Sequence, residues 1–452
     1  MKVIISGCGR VGTAILESLL KEEHQITVID LNPNIVEEVT NKFDVLGLVG
    51  NGTSYDVLLS AGANEADLFV SVTASDEFNM LSCFVAKKMG ATNTVARIRN
   101  SEYNNASFGK VRKELGINVI INPELLTAQT IYNVLQLPSA SNVEVFSSSE
   151  TEMMEITLNE NSKILGQSLL ELRKKHNYTF LVCLVQRDDA IYIPNGSFVL
   201  QAGDKIGIFT SKANVSKLIK SFGLEQKSVK SIMIVGASKT AFYLAKLLSS
   251  TKYSVKIIDS NKDKCERIAR ELDNVTIING DGMSQELLLE EGILTTDGFV
   301  ALTGKDETNV LMSIFSQNNN VQKTITKLDN DEVFSISKTL GLETSITARH
   351  LVANVVVRYA RALENSKESK IETLYSLFSG KAEAAEFEVL PDFKFINTPI
   401  KALKLSKQII IAGIIRDRET IIPCGEDVIM TGDRVIVITA GRSLYDLSDI
   451  MD

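Results

Sequence analysis

Hydrophobic residues occur along this chain as short runs that alternate with stretches of helical spacing. The first run lies within Lys2–Ile5, and apolar residues then recur at helical spacing from Thr13 to Lys21. A short apolar run predicts a buried strand, whereas a 3.6-residue recurrence predicts an amphipathic helix. Further strands are predicted at 25–29, 45–49, 68–72, 94–98 and 119–121. Alternation of strands with helices favours a parallel sheet with helices on both faces.

The pattern changes after a helix that is predicted to begin near Pro123. Its apolar residues recur on one side as far as Leu135, and proline suits the first turn of a helix. Pro138 and a serine-rich run to Ser149 predict a linker. From about Val143 to Gly223 the apolar runs are short and separated by hairpin signals, which predicts a small β-rich module.

The sequence then repeats itself. The strand and turn at Ser231–Gly236 match those at Lys2–Gly7, and the acid that ends the second strand, Asp30, is matched by Asp259. Both separations are 229 positions (236 − 7 and 259 − 30). The later matching pairs, at separations of 229 or 230, are Gly50–Gly52 with Gly280–Gly282, Thr73–Asn79 with Thr303–Asn309, and Gly203-Asp204 with Gly432-Asp433. We interpret the two Gly-Asp pairs as turns and not as sites.

The predicted fold is therefore α/β and duplicated in tandem. Each copy has a Rossmann-like, doubly wound parallel sheet followed by a small β-rich α+β module. The predicted modules span 1–138 and 139–225 in the first copy, and 229–365 and 370–452 in the second.

The candidate chemistry lies in the first turn, where Gly7, Gly9 and Gly12 have G-x-G-x-x-G spacing between a strand and a helix. The first glycine permits the turn, the second allows close backbone approach to a ligand, and the third allows tight helix–strand packing. The free N–H groups of the helix N-terminus favour an anion such as a diphosphate. Asp30, at the end of the next strand, suits the two ribose hydroxyls and would repel a 2′-phosphate. These residues predict a dinucleotide or adenine-nucleotide site that prefers NAD to NADP.

Composition narrows the class of protein. The 452 residues are 44% hydrophobic and 23% charged, which is typical of globular protein with several domains. A net charge of −8 without a basic cluster argues against nucleic-acid binding. No apolar run is long enough to cross a membrane, and the first strand follows Met1 almost at once, which predicts a cytoplasmic protein without a signal peptide. Five scattered cysteines are interpreted as reduced and mostly buried.

Several motifs in fixed order resemble a known family. These motifs are the first glycine loop with Asp30, the Gly50–Gly52 and Thr73–Asn79 stretches, Ala96–Arg99 and the I-P-x-G hairpins. Together they are similar to the motifs of the two-repeat TrkA group of RCK (also called KTN) regulatory subunits, over essentially the whole chain. The resemblance implies a non-enzymatic subunit that is peripheral at the inner face of the cell membrane and assembles on a TrkH- or TrkG-like potassium transporter. In that family the first module of each repeat binds NAD+ or NADH, and related members bind ATP or ADP.

The resemblance also implies which residues contact the nucleotide. In the first copy these residues belong to the phosphate loop, the ribose site and the carboxyl edge of the sheet. They are Gly7, Cys8, Gly9, Arg10, Val11, Gly12, Asp30, Asn51, Gly52, Thr73, Ala74 and Arg97. Open α/β sheets bind ligands at that edge, and Arg97 could hold phosphate through its planar fork. Thr73 has an alternative role as a helix cap, and Arg99, a weaker candidate, has one as the partner of an ion pair.

The second copy departs from the motif. Its candidates are Gly236, Ala237, Ser238, Lys239, Thr240, Asp259, Asp281, Thr303, Gly304 and Lys327. Ser238 replaces the glycine of close approach, and Lys327 lacks the bidentate fork of Arg97. We expect this site to bind a nucleotide more weakly, to bind a different one, or to serve as scaffold.

Two other functions are weighed. An NAD-dependent oxidoreductase needs an acid or base beside the nicotinamide, but none of the three histidines follows a sheet strand and the β-rich modules leave little room for a substrate cleft. Asp76 and Glu77 begin a predicted helix, where acids usually serve the cap and the dipole. A nucleotide or second-messenger sensor unrelated to potassium is the other alternative. The duplication itself suggests a homodimer that presents four Rossmann modules to its partner.

Overall fold

A computed structural model describes residues 1–104, 108–146, 151–176, 179–250, 252–364, 369–417 and 419–451. Its strands form two six-stranded parallel sheets and two five-stranded antiparallel sheets. The predicted fold class, a tandem pair of Rossmann-like and β-rich modules, is confirmed. Within the described ranges, no helix combines the length and apolar character that crossing a bilayer requires.

The first Rossmann module orders its strands β3-β2-β1-β4-β5-β6, the arrangement of a doubly wound sheet. Strands β1 to β6 are Lys2–Ser6, Gln25–Asp30, Leu46–Val49, Leu68–Ser71, Asn93–Arg97 and Val119–Ile121. Helices α1 to α6 are Arg10–Leu20, Pro33–Lys42, Tyr55–Ser60, Asp76–Met89, Phe108–Glu114 and Pro123–Gln136. The central strands β1 and β4 are almost wholly buried because helices cover both faces.

The first β-rich module contains strands β7 to β11 in the order β10-β9-β11-β8-β7. They span Asn142–Val145, Thr151–Thr157, Phe180–Arg187, Ala190–Tyr192 and Lys205–Ser211. Helix α7 spans Leu169–Lys175, and α8 spans Lys212–Phe222.

The predicted linker after Pro138 is wrong in part, because β7 lies inside it and pairs antiparallel with β8 from Asn142 to Val145. Val143 is buried between polar neighbours, which is the alternation of a half-buried strand. The serines dominated the composition of this stretch and hid that alternation. Positions 147–149 of the predicted linker lie outside the described residues.

The second copy repeats both architectures. Its parallel sheet has the order β14-β13-β12-β15-β16-β17, and its antiparallel sheet has the order β18-β19-β22-β20-β21. Strands β12 to β17 are Ser231–Val235, Ser254–Asp259, Val275–Asn279, Gly298–Ala301, Lys323–Lys327 and Ser345–Ile346. Helices α9 to α14 are Lys239–Ser249, Lys262–Glu271, Gln285–Glu290, Asp306–Asn318, Asp331–Thr339 and Ala348–Leu363. Strands β18 to β22 are Ser369–Leu377, Ala382–Val389, Ile409–Arg416, Glu419–Ile421 and Arg434–Ala440.

The two copies exchange helices at their contact. Helix α14 of the second copy packs on α1 of the first, and α6 of the first copy packs on α9 of the second. Val352 and Val356 on α14 share a core with Ile15 and Leu19 on α1. Because each Rossmann sheet is covered partly by a helix from the other copy, the carboxyl edges of the two sheets face a common cleft.

Both Gly-Asp pairs are turns held by buried carboxylates. Asp204 accepts two hydrogen bonds from Arg187, at 2.7 and 2.8 Å, and a third from the backbone N–H of Gln201. Asp433 has the same relationship with Arg416, at 2.8 and 2.7 Å. Each acid therefore fixes a hairpin in its own module, as the interpretation of these pairs as turns requires.

Candidate functional site

The three glycines of the first loop have different surroundings. Gly7 has a φ of +97°, and a Cβ atom there would lie 2.9 Å from the backbone nitrogen of Thr73. A Cβ atom on Gly12 would lie 1.9 Å from the carbonyl oxygen of Gly7, so this glycine is required for the helix to approach the loop. Gly9 is the N-cap of α1 and has no heavy atom within 4 Å of the Cβ position. The open space above Gly9 allows a ligand to come close to the protein backbone at the N-terminus of α1.

Asp30 fixes the shape of this loop. Its Oδ2 accepts a hydrogen bond of 2.7 Å from the backbone N–H of Cys8, and its Oδ1 accepts one of 2.9 Å from that of Asn32. The Cys8 side chain is buried, and burial, with the charge of Asp30, raises the pKa of its thiol to about 12. Cys8 therefore acts through its backbone, and its thiol stays protonated at neutral pH.

The ends of β4 and β5 are joined by Asn79 of α4, which is fully buried. Its Oδ1 accepts hydrogen bonds from the backbone N–H and the hydroxyl of Thr73, at 2.9 and 2.7 Å, and its Nδ2 donates to the carbonyl oxygen of Arg97 at 2.8 Å. The N-cap of α4 is Ser75, so Thr73 is not the cap of this helix. Asp76 accepts the backbone N–H groups of Arg99 and Asn100, which is a structural role at the start of a helix.

Two arginines extend this edge. Arg97 donates from Nη1 to the carbonyl oxygen of Thr73 at 3.2 Å, whereas its buried Nε has no hydrogen-bond partner among the described residues. Burial lowers the pKa of Arg97 from its ordinary value, although the guanidinium stays charged. Arg99 forms an ion pair of 2.7 Å with Glu124, in the first turn of α6, which was the alternative role considered for it.

These residues line a cavity of about 820 Å³ between the two Rossmann modules. The first-copy candidates among its lining residues are Gly7, Gly9, Arg10, Val11, Asp30, Gly52, Thr73, Ala74 and Arg97. Cys8, Gly12 and Asn51 are not lining residues of this cavity. Asn51 instead turns the backbone after β3, where its Oδ1 accepts the N–H of Thr53 at 2.9 Å.

The second loop opens into the same cavity. Its lining candidates are Ser238, Lys239, Thr240, Thr303, Gly304 and Lys327, whereas Gly236, Ala237, Asp259 and Asp281 are not among the lining residues. Asp259 repeats the role of Asp30 by accepting the N–H of Ala237 at 2.6 Å. Ser238 caps α9, since its Oγ accepts the N–H of Ala241 at 3.3 Å. The hydroxymethyl group of Ser238 thus stands where the first loop has only the hydrogen of Gly9.

The charge of the cavity is positive. Six cationic residues line it, and three acidic ones. They are Arg10, Arg97, Arg99, Lys239, Lys327 and Arg349, against Asp30, Glu124 and Asp329. Converging cations between apolar walls favour a ligand that carries several negative charges. The glycine cradle, the Asp30 carboxylate in the cavity lining and this cationic wall fit an adenosine diphosphate group.

Sequence reasoning missed three of these charged residues, namely Glu124, Asp329 and Arg349. The repeat contains a signal that could have found them. Glu124 is the second residue of α6 and Arg349 is the second residue of α14, so the two exchanged helices carry opposite charges at matching positions. Likewise Arg99 is replaced by Asp329, which forms an ion pair of 2.6 Å with Lys327.

Comparison with known proteins gives matches over the whole chain. The family model described as the TrkA-N domain matches residues 3–123 and 232–348, and that described as the TrkA-C domain matches 153–223 and 384–452. A protein named Trk system potassium uptake protein TrkA homolog, from Archaeoglobus fulgidus, is 32% identical over 450 residues and covers all of both chains.

Solved structures share the fold at lower identity. The crystal structure of the GsuK RCK domain is 16% identical with a TM-score of 0.64, covering 97% of this chain and 92% of that one. The structure of the GsuK channel bound to NAD is 15% identical with a TM-score of 0.63, covering 97% and 76%. This likeness supports the duplicated architecture of the chain.

Proposed function

Because the chain belongs to the TrkA family, defined by paired TrkA-N and TrkA-C domains, we propose that it is a nucleotide-binding regulatory subunit of a Trk-type potassium uptake system. The proposal places it at the inner face of the cell membrane, on a TrkH- or TrkG-like potassium transporter. Relatives named as Trk system potassium uptake proteins, matched over 95% or more of their length, support this assignment.

The observation that carries the proposal is the cationic cavity shared by both Rossmann modules. In it we place the diphosphate of NAD+ or NADH above Gly9, Arg10 and Val11, and the adenosine ribose at Asp30. The carboxylate of Asp30 disfavours a 2′-phosphate, so NAD is preferred to NADP. ATP or ADP would use the same cradle and bring further charge to Arg97. The NAD-bound GsuK channel, which shares the fold, supports the NAD assignment.

The proposed mechanism is a shift between two arrangements of the assembly. A nucleotide changes their populations only if it binds one arrangement more tightly than the other. The shared cavity supplies a reason for such a difference, because residues of both modules line it and any relative displacement changes their distance to the phosphates. The protein in this proposal senses its ligand without transforming it, and a homodimer would present four Rossmann modules to the transporter.

Calorimetric titration of NADH, NAD+, ATP and ADP tests the site. We expect Asp30→Ala to lower the affinity of the preferred nucleotide by about tenfold or more, the equivalent of about 1.4 kcal/mol. Asp259→Ala is the matched control, since Asp259 holds the second loop through the same type of backbone hydrogen bond but is not a lining residue. Equal loss in both variants, or none in Asp30→Ala, would place the site elsewhere.

Transport must be measured separately. In cells that carry the partner transporter but lack their own regulatory subunit, we expect the wild-type chain to alter rubidium uptake and Asp30→Ala to alter it less. Uptake that is unchanged by the wild-type chain would refute the regulatory assignment even if the nucleotide binds. Oxidation of NADH by the purified protein with a carbonyl substrate would instead favour an oxidoreductase.

A further inference from the structure

Two helices begin at the nucleotide cavity and meet again at a buried ion cluster. Helix α1 starts at Arg10, directly after the phosphate loop, and α14 starts at Ala348, which lines the same cavity. The two helices pack against each other along their length. Their far ends meet where Glu22, just beyond α1, faces Arg361 of α14. The cavity and this ion cluster are therefore joined by two packed helices.

Arg361 is the centre of the cluster, and its side chain has no exposed surface. Its Nε and Nη2 donate to both carboxylate oxygens of Glu22, at 2.7 and 2.5 Å. Its Nη1 and Nη2 donate to the two oxygens of Glu383 at 3.0 and 3.1 Å, and Nη1 also donates to the carbonyl oxygen of Leu444 at 3.3 Å. The guanidinium lies 5.1 Å from the ring centroid of Tyr445. The five hydrogen bonds therefore use all the donor nitrogens of the Arg361 guanidinium.

These partners belong to different modules. Glu22 lies in the first Rossmann module, whereas Glu383 lies on β19, and Leu444 follows β22, in the second β-rich module. Burial by itself would lower the pKa of Arg361, but the hydrogen bonds to both carboxylates raise it above its ordinary value. A fully buried, planar ion cluster tolerates few geometries, so it holds these two modules and α14 in one relative arrangement.

Within the part of the first copy that the structure describes, no arginine-centred cluster lies at the matching place. Counting from the first residues of α6 and α14, Pro123 and Ala348, the position of Arg361 corresponds to Gln136, which is exposed. Among the described residues, this arginine-centred connection therefore leads from the cavity to the second β-rich module.

The end of α14 that lies at the cavity carries a charged side chain, Arg349. Arg349, its second residue, lines the cavity and contacts Asp331. Its buried Nε has no hydrogen-bond partner among the described residues. A buried guanidinium donor without an acceptor is unfavourable, and a phosphate oxygen in the cavity would satisfy it.

We propose that α14 connects the nucleotide cavity to the second β-rich module, with Arg349 binding a phosphate of the ligand and Arg361 acting as the positioning residue at the far end. This inference rests on the proposed nucleotide site, and in it α14 transmits nucleotide binding to the second β-rich module. A helix of 16 residues is about 24 Å long and is stiff, so a shift at its first turn is delivered to its last turn. Packed interfaces change between discrete arrangements, which makes the Glu22–Arg361–Glu383 cluster a suitable point of transmission.

Binding at Arg349 is tested by calorimetry with ATP and with NADH. We expect Arg349→Gln to lower the affinity of the nucleotide that the wild type prefers by about tenfold, as for the loss of a charged hydrogen bond. Arg270→Gln, at an exposed arginine on α10, is the matched control and should bind as the wild type does. Unchanged affinity in Arg349→Gln would overturn this half of the proposal.

Transmission is tested by amide hydrogen exchange on the full chain, with and without the same nucleotide. In the wild type we expect the ligand to change exchange in β19 and in the segment 443–450. In Arg361→Gln we expect nucleotide affinity within about threefold of the wild type but no ligand-dependent change in those segments. Gln136→Ala is the control and should keep the wild-type response. Arg361→Lys keeps the charge without the fork and serves if the glutamine variant does not fold.

The outcomes separate the two proposals. A folded Arg361 variant that binds nucleotide and still shows the full exchange response would overturn the role of α14. That result would still agree with the proposed nucleotide site. A wild-type response confined to the Rossmann modules overturns it as well. Absence of binding by the wild type refutes the nucleotide site and the inference built on it.

Discussion

Tyr243 of α9 and Asn122, the N-cap of α6, form a buried hydrogen bond of 3.1 Å between the two Rossmann modules. The Tyr243 hydroxyl also donates to the carbonyl oxygen of Arg99 at 3.1 Å, beside the cavity between the Rossmann modules. Asn122 in turn accepts the backbone N–H of Leu125 and so closes the first turn of α6. One hydroxyl therefore joins the helix that follows the second loop to the rim of the first site.

We predict that Tyr243→Phe lowers the free energy of unfolding by about 1–2 kcal/mol, because the carbonyl oxygen of Arg99 and the amide of Asn122 each lose a partner in a buried place. Denaturant unfolding measures the change. Tyr253→Phe, at a partly exposed tyrosine outside this contact, should change the free energy by less than about 0.5 kcal/mol. Equal effects in the two variants would contradict a role for the hydroxyl.

Substitutions of two neighbouring glycines should separate folding from binding. Gly12→Ala places a methyl group against the carbonyl oxygen of Gly7, so we expect a loss of stability of about 2 kcal/mol or more. Gly9→Ala meets no protein atom and needs no unusual backbone angle, so stability should stay near the wild type while nucleotide affinity falls. Thermal unfolding and calorimetry on both variants provide the measurements. Normal nucleotide affinity in Gly9→Ala would show that the space above Gly9 is not ligand space.

Ser238→Gly gives the second loop a glycine at the position of Gly9, where the missing side chain lets a ligand come close to the backbone. Loss of the Ser238 cap to glycine should lower stability by only a few tenths of a kcal/mol. If the serine side chain restricts the second site, the variant should bind nucleotide there more tightly than the wild type, as measured by stoichiometry in calorimetry. Ser284→Gly removes a comparable cap from α11 and should leave binding unchanged. The same stoichiometry and affinity in Ser238→Gly and wild type would mean that other features disable this loop.

Lys323 on β16 should produce a measurable pH dependence of stability. Its Nζ donates to the carbonyl oxygen of Ala140 at 2.5 Å, and burial lowers its pKa to about 8 despite the nearby Glu343. The unfolded chain binds this proton up to a pKa of 10.5, so between about pH 8 and 10.5 the unfolded state holds more protons and stability rises with pH. Below pH 8 this contribution is constant.

The measurement is the unfolding free energy at pH 7.5, 9 and 10 for the wild type and Lys323→Met. The rise attributable to Lys323 should disappear in the methionine variant, while contributions of other titrating groups remain in both proteins. Parallel pH profiles would mean that Lys323 keeps an ordinary pKa in the folded protein.

Much of the first site was predictable because its chemistry is local. The G-x-G-x-x-G spacing, the strand before it and Asp30 after the second strand lie within one short segment, and backbone geometry alone brings them together. The carboxyl edges of β4 and β5 were predictable for a similar reason, since parallel strands end at a common edge. The side-chain roles were less predictable. Asn79 is matched by Asn309 in the repeat, but this match does not show that its side chain joins Thr73 to Arg97.

The serine-rich stretch before Ser149 shows why composition can mislead. Its serines predicted a linker, yet Val143 enters the core because β8 offers a free edge for pairing. Whether a short, mixed segment becomes a strand depends on that neighbouring edge, which the segment itself does not contain.

The sequence by itself determined the duplicated order of modules, the glycine loop with its acid and the departure of the second loop from that motif, because each of these rests on residue types at fixed short spacing. Only the tertiary structure decided that both loops open into one cavity, that Glu124 and Arg349 enter it with opposite charges, and that Arg361 reaches Glu22 across 339 positions of the chain. The physical reason is the exchange of α6 and α14 between the copies. Packing of distant helices depends on the fit of whole surfaces, which hydrophobic spacing within one segment does not specify.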